Sequence, residues 1–343
     1  MALATGALDF ASIGSVSASL TGWFPHVVFA LFLIGFGIKA GIIPLHVWLP
    51  EAHPAAPSHV SALMSGVMIK LAIYMLVRVL FELLPLFHLW WGMVIVILGA
   101  LSALLGVLYA LTEHDMKRLL AYHSVENIGI ILLGIGSAIM LKSMGFDALA
   151  LLALVAGVFH TINHAIFKSL LFLGAGALFF KTHTRDIEKY GGLIKLMPWT
   201  AALFLVGAVA ISGLPPFNGF ASEWLTFQTM FAGVALGLGM KVQSLWIGAT
   251  IALALTSGLA AACFVKAFGV SFLGRARTDV AKSATEVSFT MIGPMVVLAV
   301  LCLVFGVFSS TSVIPYLSAV LQNFVLATSV SSCSGSLWAP SLS

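Results

Sequence analysis

Eight apolar stretches, near 24–48, 58–84, 90–111, 119–141, 147–180, 198–235, 244–270 and 288–310, each reach the length of roughly 20 residues that a helix needs to cross a bilayer. Two of them, 147–180 and 198–235, are longer than one crossing requires. Hydrophobic residues make up 61% of the chain and charged ones 8%. Soluble globular domains usually hold about 45 to 50% apolar residues, so that class is excluded. The pattern predicts an all-α polytopic membrane protein of about eight transmembrane helices.

Loop charges then orient the spans. Lys117 and Arg118 fall in one loop, Lys181, Arg185, Lys189 and Lys195 in a second, and Arg275, Arg277 and Lys282 in a third. All three lie on one side of an eight-span chain, whereas the opposite loops carry only Lys142 and Lys241. The positive-inside rule makes the basic side cytoplasmic and places both termini in the periplasm of an inner-membrane protein. The net charge of +4 is therefore topological, and no nucleic-acid surface is read from it. Residues 1–22 lack a basic leader and read as a periplasmic interhelical loop, and 311–343 as a periplasmic tail. Cys263 and Cys302 fall within spans and Cys333 in the tail, without paired spacing, so no disulfide, metal or cofactor site is expected.

Two spans carry breaks. Lys39 is followed by Gly41 and Pro44, and Ser212-Gly-Leu-Pro-Pro-Phe-Asn-Gly219 interrupts 198–235 just before Glu223. Proline removes a backbone donor and clashes with the preceding turn, so helix discontinuities are expected at Gly41, Pro44, Pro215 and Pro216. Unwound backbone at membrane depth is tolerated where protein or water satisfies it, and paired interruptions of this kind are a feature of transporters. Ordinary proline kinks are the alternative.

Lys39, Lys70, Lys168 and Glu223 stand inside apolar stretches. Each charge at a helix centre costs about 2.5 to 3.5 kcal/mol, so four cost on the order of 10 kcal/mol and point to function. His160, His164 and Lys168 are four residues apart, on one helix face and spanning roughly 12 Å of its axis. Histidine changes protonation near neutrality, and a neighbouring cation about 7 Å away at an effective dielectric near 20 contributes roughly 2.4 kcal/mol to a lysine's proton affinity. Lys39, Lys70, His160, His164, Lys168 and Glu223 are thus candidates for a proton pathway, with Glu126 and His123 as a lateral branch or a polar network at a helix end. Each taken alone also fits a structural role, a paired lysine or a histidine bonded to a carbonyl. Lys266 and Arg78, near helix ends, are expected to snorkel. His46, Glu51, His53 and His59 are split by Pro50, Pro54 and Pro57, which removes the geometry of a helical zinc motif and leaves a polar cytoplasmic loop. Gly37 and Gly41 have the spacing of a helix-packing pair.

Several segments together carry a family resemblance: Gly37-Ile-Lys-Ala-Gly-Ile-Ile-Pro-Leu-His-Val-Trp-Leu-Pro-Glu-Ala-His-Pro-Ala-Ala-Pro-Ser-His59, the stretch from Met116 to Gly129, His160-Thr-Ile-Asn-His-Ala-Ile-Phe-Lys-Ser-Leu-Leu-Phe172, Arg185-Asp-Ile-Glu-Lys-Tyr-Gly-Gly-Leu193 and Leu214-Pro-Pro-Phe-Asn-Gly-Phe-Ala-Ser-Glu-Trp224. Over roughly 25–310 the chain resembles the antiporter-like proton-channel subunits of respiratory complex I and the cation/proton antiporters. Within that family it looks most like the large membrane subunit of formate hydrogenlyase and hydrogenase-4 type complexes.

The resemblance implies a fourteen-helix core of two inverted five-helix repeats, with this chain matching helices seven to fourteen. It implies that 23–84 is the end of the first repeat (helices seven and eight), 90–270 the complete second repeat and 288–310 an additional helix. Lys39 then matches the helix-seven lysine, Lys70 the helix-eight lysine, His160, His164 and Lys168 the helix-eleven relay, and Glu223 the polar residue of broken helix twelve. The glutamate that the family sets against the helix-seven lysine lies outside this chain. Either a separate chain supplies helices one to six, or Lys39 lacks its switching partner. The implied function is proton or cation translocation within a hydrogenase-type redox complex, with no redox centre of the subunit's own. Implied partners are other membrane subunits, lipids, and peripheral hydrogenase and iron-sulfur subunits on the cytoplasmic side. A complex I or antiporter subunit is the alternative, and a non-conducting truncated scaffold is the alternative of another class.

Overall fold

The computed structural model describes residues 10–17, 21–237 and 239–330. The helix Met116–Ser143 sits at the centre, with its whole hydrophobic window buried among its neighbours. A helix that presents no face to solvent or lipid packs against other helices on all sides, and its polar residues must find partners there. In chain order the described helices of eight or more residues are α1 (Phe10–Ser17), α2 (Phe24–Ala40), α3 (Trp48–Ala55), α4 (Ser58–Leu83), α5 (Leu89–Thr112), α6 (Met116–Ser143), α7 (Asp147–Thr182), α8 (Pro198–Ile211), α9 (Asn218–Ala235), α10 (Met240–Phe272), α11 (Phe289–Val307) and α12 (Ile314–Val330). Six of these, α4, α5, α6, α7, α10 and α11, are long and apolar enough to cross a membrane, and α2 and α8 are shorter apolar helices.

Small residues let the central helices meet backbone to backbone. A methyl group added at Gly106 of α5 would lie 2.7 Å from the Glu126 nitrogen of α6, and one added at Gly134 of α6 would lie 2.7 Å from the Gly157 nitrogen of α7. Within lipid, where apolar surface gains little by leaving the tails, such close approach is a principal source of helix association. Gly37 and Gly41 serve no such seam. Gly41 adopts the left-handed φ of 79° that ends α2, its N–H returning to the Gly37 and Ile38 carbonyls.

Both interruptions have their polar backbone satisfied. After Gly41 the Ile43 N–H donates to Ser102 Oγ at 3.1 Å, and the Trp48 indole N–H donates to the Ile38 carbonyl at 2.7 Å. Between α8 and α9, Gly213 takes a φ of 62°, the Leu214 N–H returns to the Val209 carbonyl and the Phe217 N–H to Leu214. The Ile43–Pro44 and Pro215–Pro216 peptide bonds are cis.

The basic loops converge at one end. Asp115 and Asp186 form a two-residue bridge, Arg185 reaches Asp115 at 3.0 Å and the Pro54 carbonyl, and Arg277 reaches the Ile187 and Glu188 carbonyls. Lys117 lies in the first turn of α6, 3% exposed, its ammonium donating to the Ala56 carbonyl at 2.7 Å. Lys142 and Asp147 pair at 2.9 Å between α6 and α7.

Several expectations change. Residues 1–22 are not wholly loop, because Phe10–Ser17 is helical and Ser17 bonds the Leu83 carbonyl. The segment expected as a tail from 311 instead continues as a π-turn at Ser309–Val313 and helix α12, which packs on α7. Its Ser/Thr-rich start masked the apolar Ile314–Val325 run. The His46–His59 region is not a polar loop, since most of it is α3 and His53 is fully buried. Lys266 caps α5 from α10, donating to the Leu111 and Glu113 carbonyls at 2.9 and 3.0 Å, and Arg78 pairs with Glu82. Asp9, Cys333 and the tail beyond Val330 lie outside the described residues.

Candidate functional site: a buried polar file between helices

The site is assembled from the inward faces of α4, α6, α7 and α9. On α4, a π-helical turn at Met64–Met68 widens the helix, and Lys70 reaches back so that its ammonium donates to the Ser65 carbonyl. Ser65 Oγ lies 2.9 Å from Ser124 Oγ of α6. Ser124 Oγ donates to the Leu120 carbonyl at 3.3 Å, and Lys168 of α7 donates to the same carbonyl. Lys70 and Lys168 thus flank a pair of bonded hydroxyls, Lys70 held by the carbonyl of Ser65 and Lys168 sharing the Leu120 carbonyl with Ser124. Lys70 is 8% exposed and Lys168 is fully buried, with Nζ 5.7 Å from the Phe172 ring centre.

A second file runs along α6, α7 and α9. Asn127 Nδ2 donates to the His123 carbonyl at 2.8 Å, which turns Asn127 Oδ1 toward His160 Nε2 at 3.2 Å. That orientation assigns the proton of neutral His160 to Nε2, leaving Nδ1 to accept from Ser222 Oγ at 2.9 Å. Asn163 Nδ2 donates to both Ser222 Oγ and the Asn218 carbonyl, and Asn218 Nδ2 returns to Asn163 Oδ1 at 3.2 Å. His123 and Glu126, both buried, contact each other through Nδ1 and Oε2. Glu223 is 5% exposed beside the α8–α9 break, and its Oε2 accepts from Ser257 Oγ of α10 at 2.8 Å.

His164 is fully buried one turn from both His160 and Lys168, and neither of its ring nitrogens has a protein partner. The same holds for both nitrogens of His53. An unsatisfied buried donor or acceptor costs about 1 to 3 kcal/mol, and water is the partner that removes the cost.

Not every expected residue joins. Lys39 is exposed on the outer face of α2 and makes no hydrogen bond or ion pair with the described residues. Glu223 belongs to neither chain by direct hydrogen bonds. The serines and asparagines around the lysines and histidines, Ser65, Ser124, Asn127, Asn163 and Ser222, and Ser257 beside Glu223, were missed by reading the sequence for ionisable groups. Their one signal is phase: Asn127 is one turn from His123, and Asn163 and Ser222 adjoin His164 and Glu223. Among the described residues no group of three or more His, Cys, Asp or Glu has a metal-holding arrangement, and Cys263 and Cys302 are buried and free.

Comparison with known proteins places this geometry in a family. Residues 1–247 match the family described as NADH:quinone oxidoreductase/Mrp antiporter, transmembrane. Hydrogenase-4 component B of Escherichia coli (strain K12) is 50% identical over 313 residues, covering 89% of this chain and 45% of that protein. Formate hydrogenlyase subunit 3 of the same organism is 44% identical over 300 residues, covering 85% and 48%. The chain thus spans about half the length of the curated relatives it matches. A chain of the Mrp complex from Dietzia sp. DQ12-45-1b superposes with a TM-score of 0.78 over 96% of this chain and 64% of its own, at 24% identity, which speaks for the fold alone. A chain of respiratory complex I from Thermus thermophilus gives 0.76 over 94% and 64%, at 25% identity. With its apolar helices and this family, the chain is an integral membrane protein.

Proposed function

Because this chain belongs to the NADH:quinone oxidoreductase/Mrp antiporter family, we propose that it is an ion-translocating, antiporter-like membrane subunit of a hydrogenase-type redox complex, moving protons along the buried file. The placing of Lys70 and Lys168 on either side of the bonded Ser65 and Ser124 hydroxyls carries this reading. Two ammonium groups on one buried route repel by on the order of 1 to 3 kcal/mol at separations of 6 to 12 Å and an effective dielectric near 20. Gain of a proton at one end therefore favours its loss at the other.

A carbonyl accepts a hydrogen bond but does not hand on a proton. The grips on the Ser65 and Leu120 carbonyls are thus resting positions, and transfer follows when an ammonium turns from its carbonyl to a serine hydroxyl or to water. The hydroxyls of Ser65 and Ser124, each donor and acceptor at once, complete the link. His164 and His160 extend the file along α7 toward Glu223, with His123 and Glu126 as a lateral branch. Lys39, facing outward, is the position for an acidic group on a neighbouring membrane subunit.

In this reading 23–84 closes one antiporter-like repeat and 90–270 forms a second, with the Lys117 and Arg185 end cytoplasmic in the inner membrane. Peripheral hydrogenase and iron-sulfur subunits dock at that end. The test is redox-driven proton movement by the assembled complex in sealed vesicles. Lys168→Ala is expected to abolish it while leaving assembly intact, and pumping at the wild-type rate would refute the assignment.

A further inference from the structure

A cavity of about 960 Å³ opens at the basic end of the molecule, bounded by the Pro54–His59 segment, Lys117, Phe179, His183 and Arg185. The segment that forms its wall is held firmly. Lys117 donates to the Ala56 carbonyl, Arg185 to the Pro54 carbonyl, and Ser61 Oγ to the His53 carbonyl at 2.9 Å. His53, the residue before this wall, is 0% exposed and turned inward, and its ring stacks on Phe172 at 4.7 Å with an 18° tilt. Lys168 Nζ lies over the same Phe172 ring. His53 thus separates the cavity from the inner end of the lysine chain, and no protein group engages either of its ring nitrogens.

We propose that this cavity is the aqueous mouth of the file on the basic side, and that His53 passes protons from it to Lys168. The proposal rests on the translocation reading above and adds to it an entry route and a residue. A buried histidine kept for packing alone would have its N–H bonded to a carbonyl, as buried polar groups generally are. His53 has two open nitrogens on a fixed backbone, which is what a relay requires. Burial, and after it the charges of Lys168, Lys70 and Lys117, push its imidazole down to about 3, so the resting ring is neutral. A neutral ring accepts a proton from hydronium in the mouth at one nitrogen and releases the other nitrogen's proton, through water, to the free amine of Lys168. One N–H bond forms and one breaks on the ring, the lysine becomes ammonium, and rotation of the ring turns its new N–H toward Lys168 and the bare nitrogen toward the mouth. The charge of Lys168 opposes protonation of His53, so entry proceeds when Lys168 has given up its proton.

The test uses the assembled complex in sealed vesicles, with redox-driven proton flux and thermal melting measured together. His53→Gln and His53→Ala are expected to lower flux on the order of 10²-fold, the glutamine variant at nearly unchanged melting temperature and the alanine variant at a lower one because the stacked ring is lost. Imidazole added on the basic side is expected to restore flux to His53→Ala, because the mouth admits it, and to leave Lys168→Ala inactive. If His53→Gln pumps at the wild-type rate while Lys168→Ala does not, the relay role of His53 is overturned and translocation stands; if both pump normally, translocation itself is wrong. Loss of flux in His53→Ala without rescue by imidazole overturns the relay in favour of packing. Should the His53 variants fail to assemble, Ala56→Trp decides, since its indole narrows the mouth beside the His53 segment and keeps the imidazole: flux within twofold of wild type overturns the entry route.

Discussion

Gly134→Ala is a one-carbon change whose consequence can be worked out from the α6–α7 seam. The new methyl would sit 2.7 Å from the Gly157 nitrogen, 2.8 Å from its Cα and 3.0 Å from the Ala153 carbonyl oxygen, all backbone atoms that no rotamer can move. Ordinary contact begins near 3.4 Å, so the two helices must part by about 0.7 Å, an overpacking that costs about 1 to 3 kcal/mol. The same seam, two turns along α6, carries the 3.2 Å contact between Asn127 Oδ1 and His160 Nε2. Parted by that amount, the contact lengthens to about 3.9 Å and ceases to be a hydrogen bond. Thermal melting of the detergent-solubilised complex should therefore fall, with proton flux falling beside it. Gly248→Ala is the matched control: nothing lies within 4 Å of its added methyl, and alanine is favoured over glycine inside a helix by about 0.5 to 1 kcal/mol. Equal melting temperatures for the two variants would refute the claim that close glycine contact holds the centre of the bundle.

Glu286 caps α8 from a distant loop, its carboxylate accepting the Trp199 N–H at 2.8 Å, the Thr200 N–H at 3.2 Å and the Thr200 hydroxyl at 2.6 Å. Glu286→Ala should cost about 1 to 2 kcal/mol of stability, read as a lower melting temperature, with flux per assembled complex retained. Asn163→Leu removes the donor to Ser222 and the Asn218 carbonyl together and leaves buried groups unpaired. A loss of about 1 to 3 kcal/mol with reduced flux is expected, and wild-type melting would contradict the file around His160.

How much of this could be read in the chain itself depends on scale. Apolar runs about 20 residues long announce helices whatever surrounds them, and glycine with proline at 41–44 and 213–216 forces a break locally, so the positions of spans and interruptions were legible. So were Lys70, Lys168 and His160, because a charge or imidazole amid leucines has few uses other than an internal one. Orientation was not. Lys39 and Lys70 look alike in sequence, and only packing turns one outward from α2 and the other toward Ser65. His53 stood among prolines and read as loop, whereas carbonyl contacts from Lys117 and Arg185 fold that segment back into the protein. The serines and asparagines were silent because small polar residues in membrane helices also serve packing, and a partner such as Ser124 for Ser65 comes from 59 residues away.

Whether the hydroxyls of Ser65 and Ser124 together link Lys70 to Lys168 is read from a double-mutant cycle on the two serines. Proton flux would be measured in sealed vesicles for the complex bearing Ser65→Ala, Ser124→Ala and both. Each hydroxyl alone completes nothing, so the double variant should lose no more than the more damaged single one, the signature of two groups acting as a unit. Losses that multiply in the double variant, or singles that pump at the wild-type rate, would mean that protons pass between the lysines by some other way.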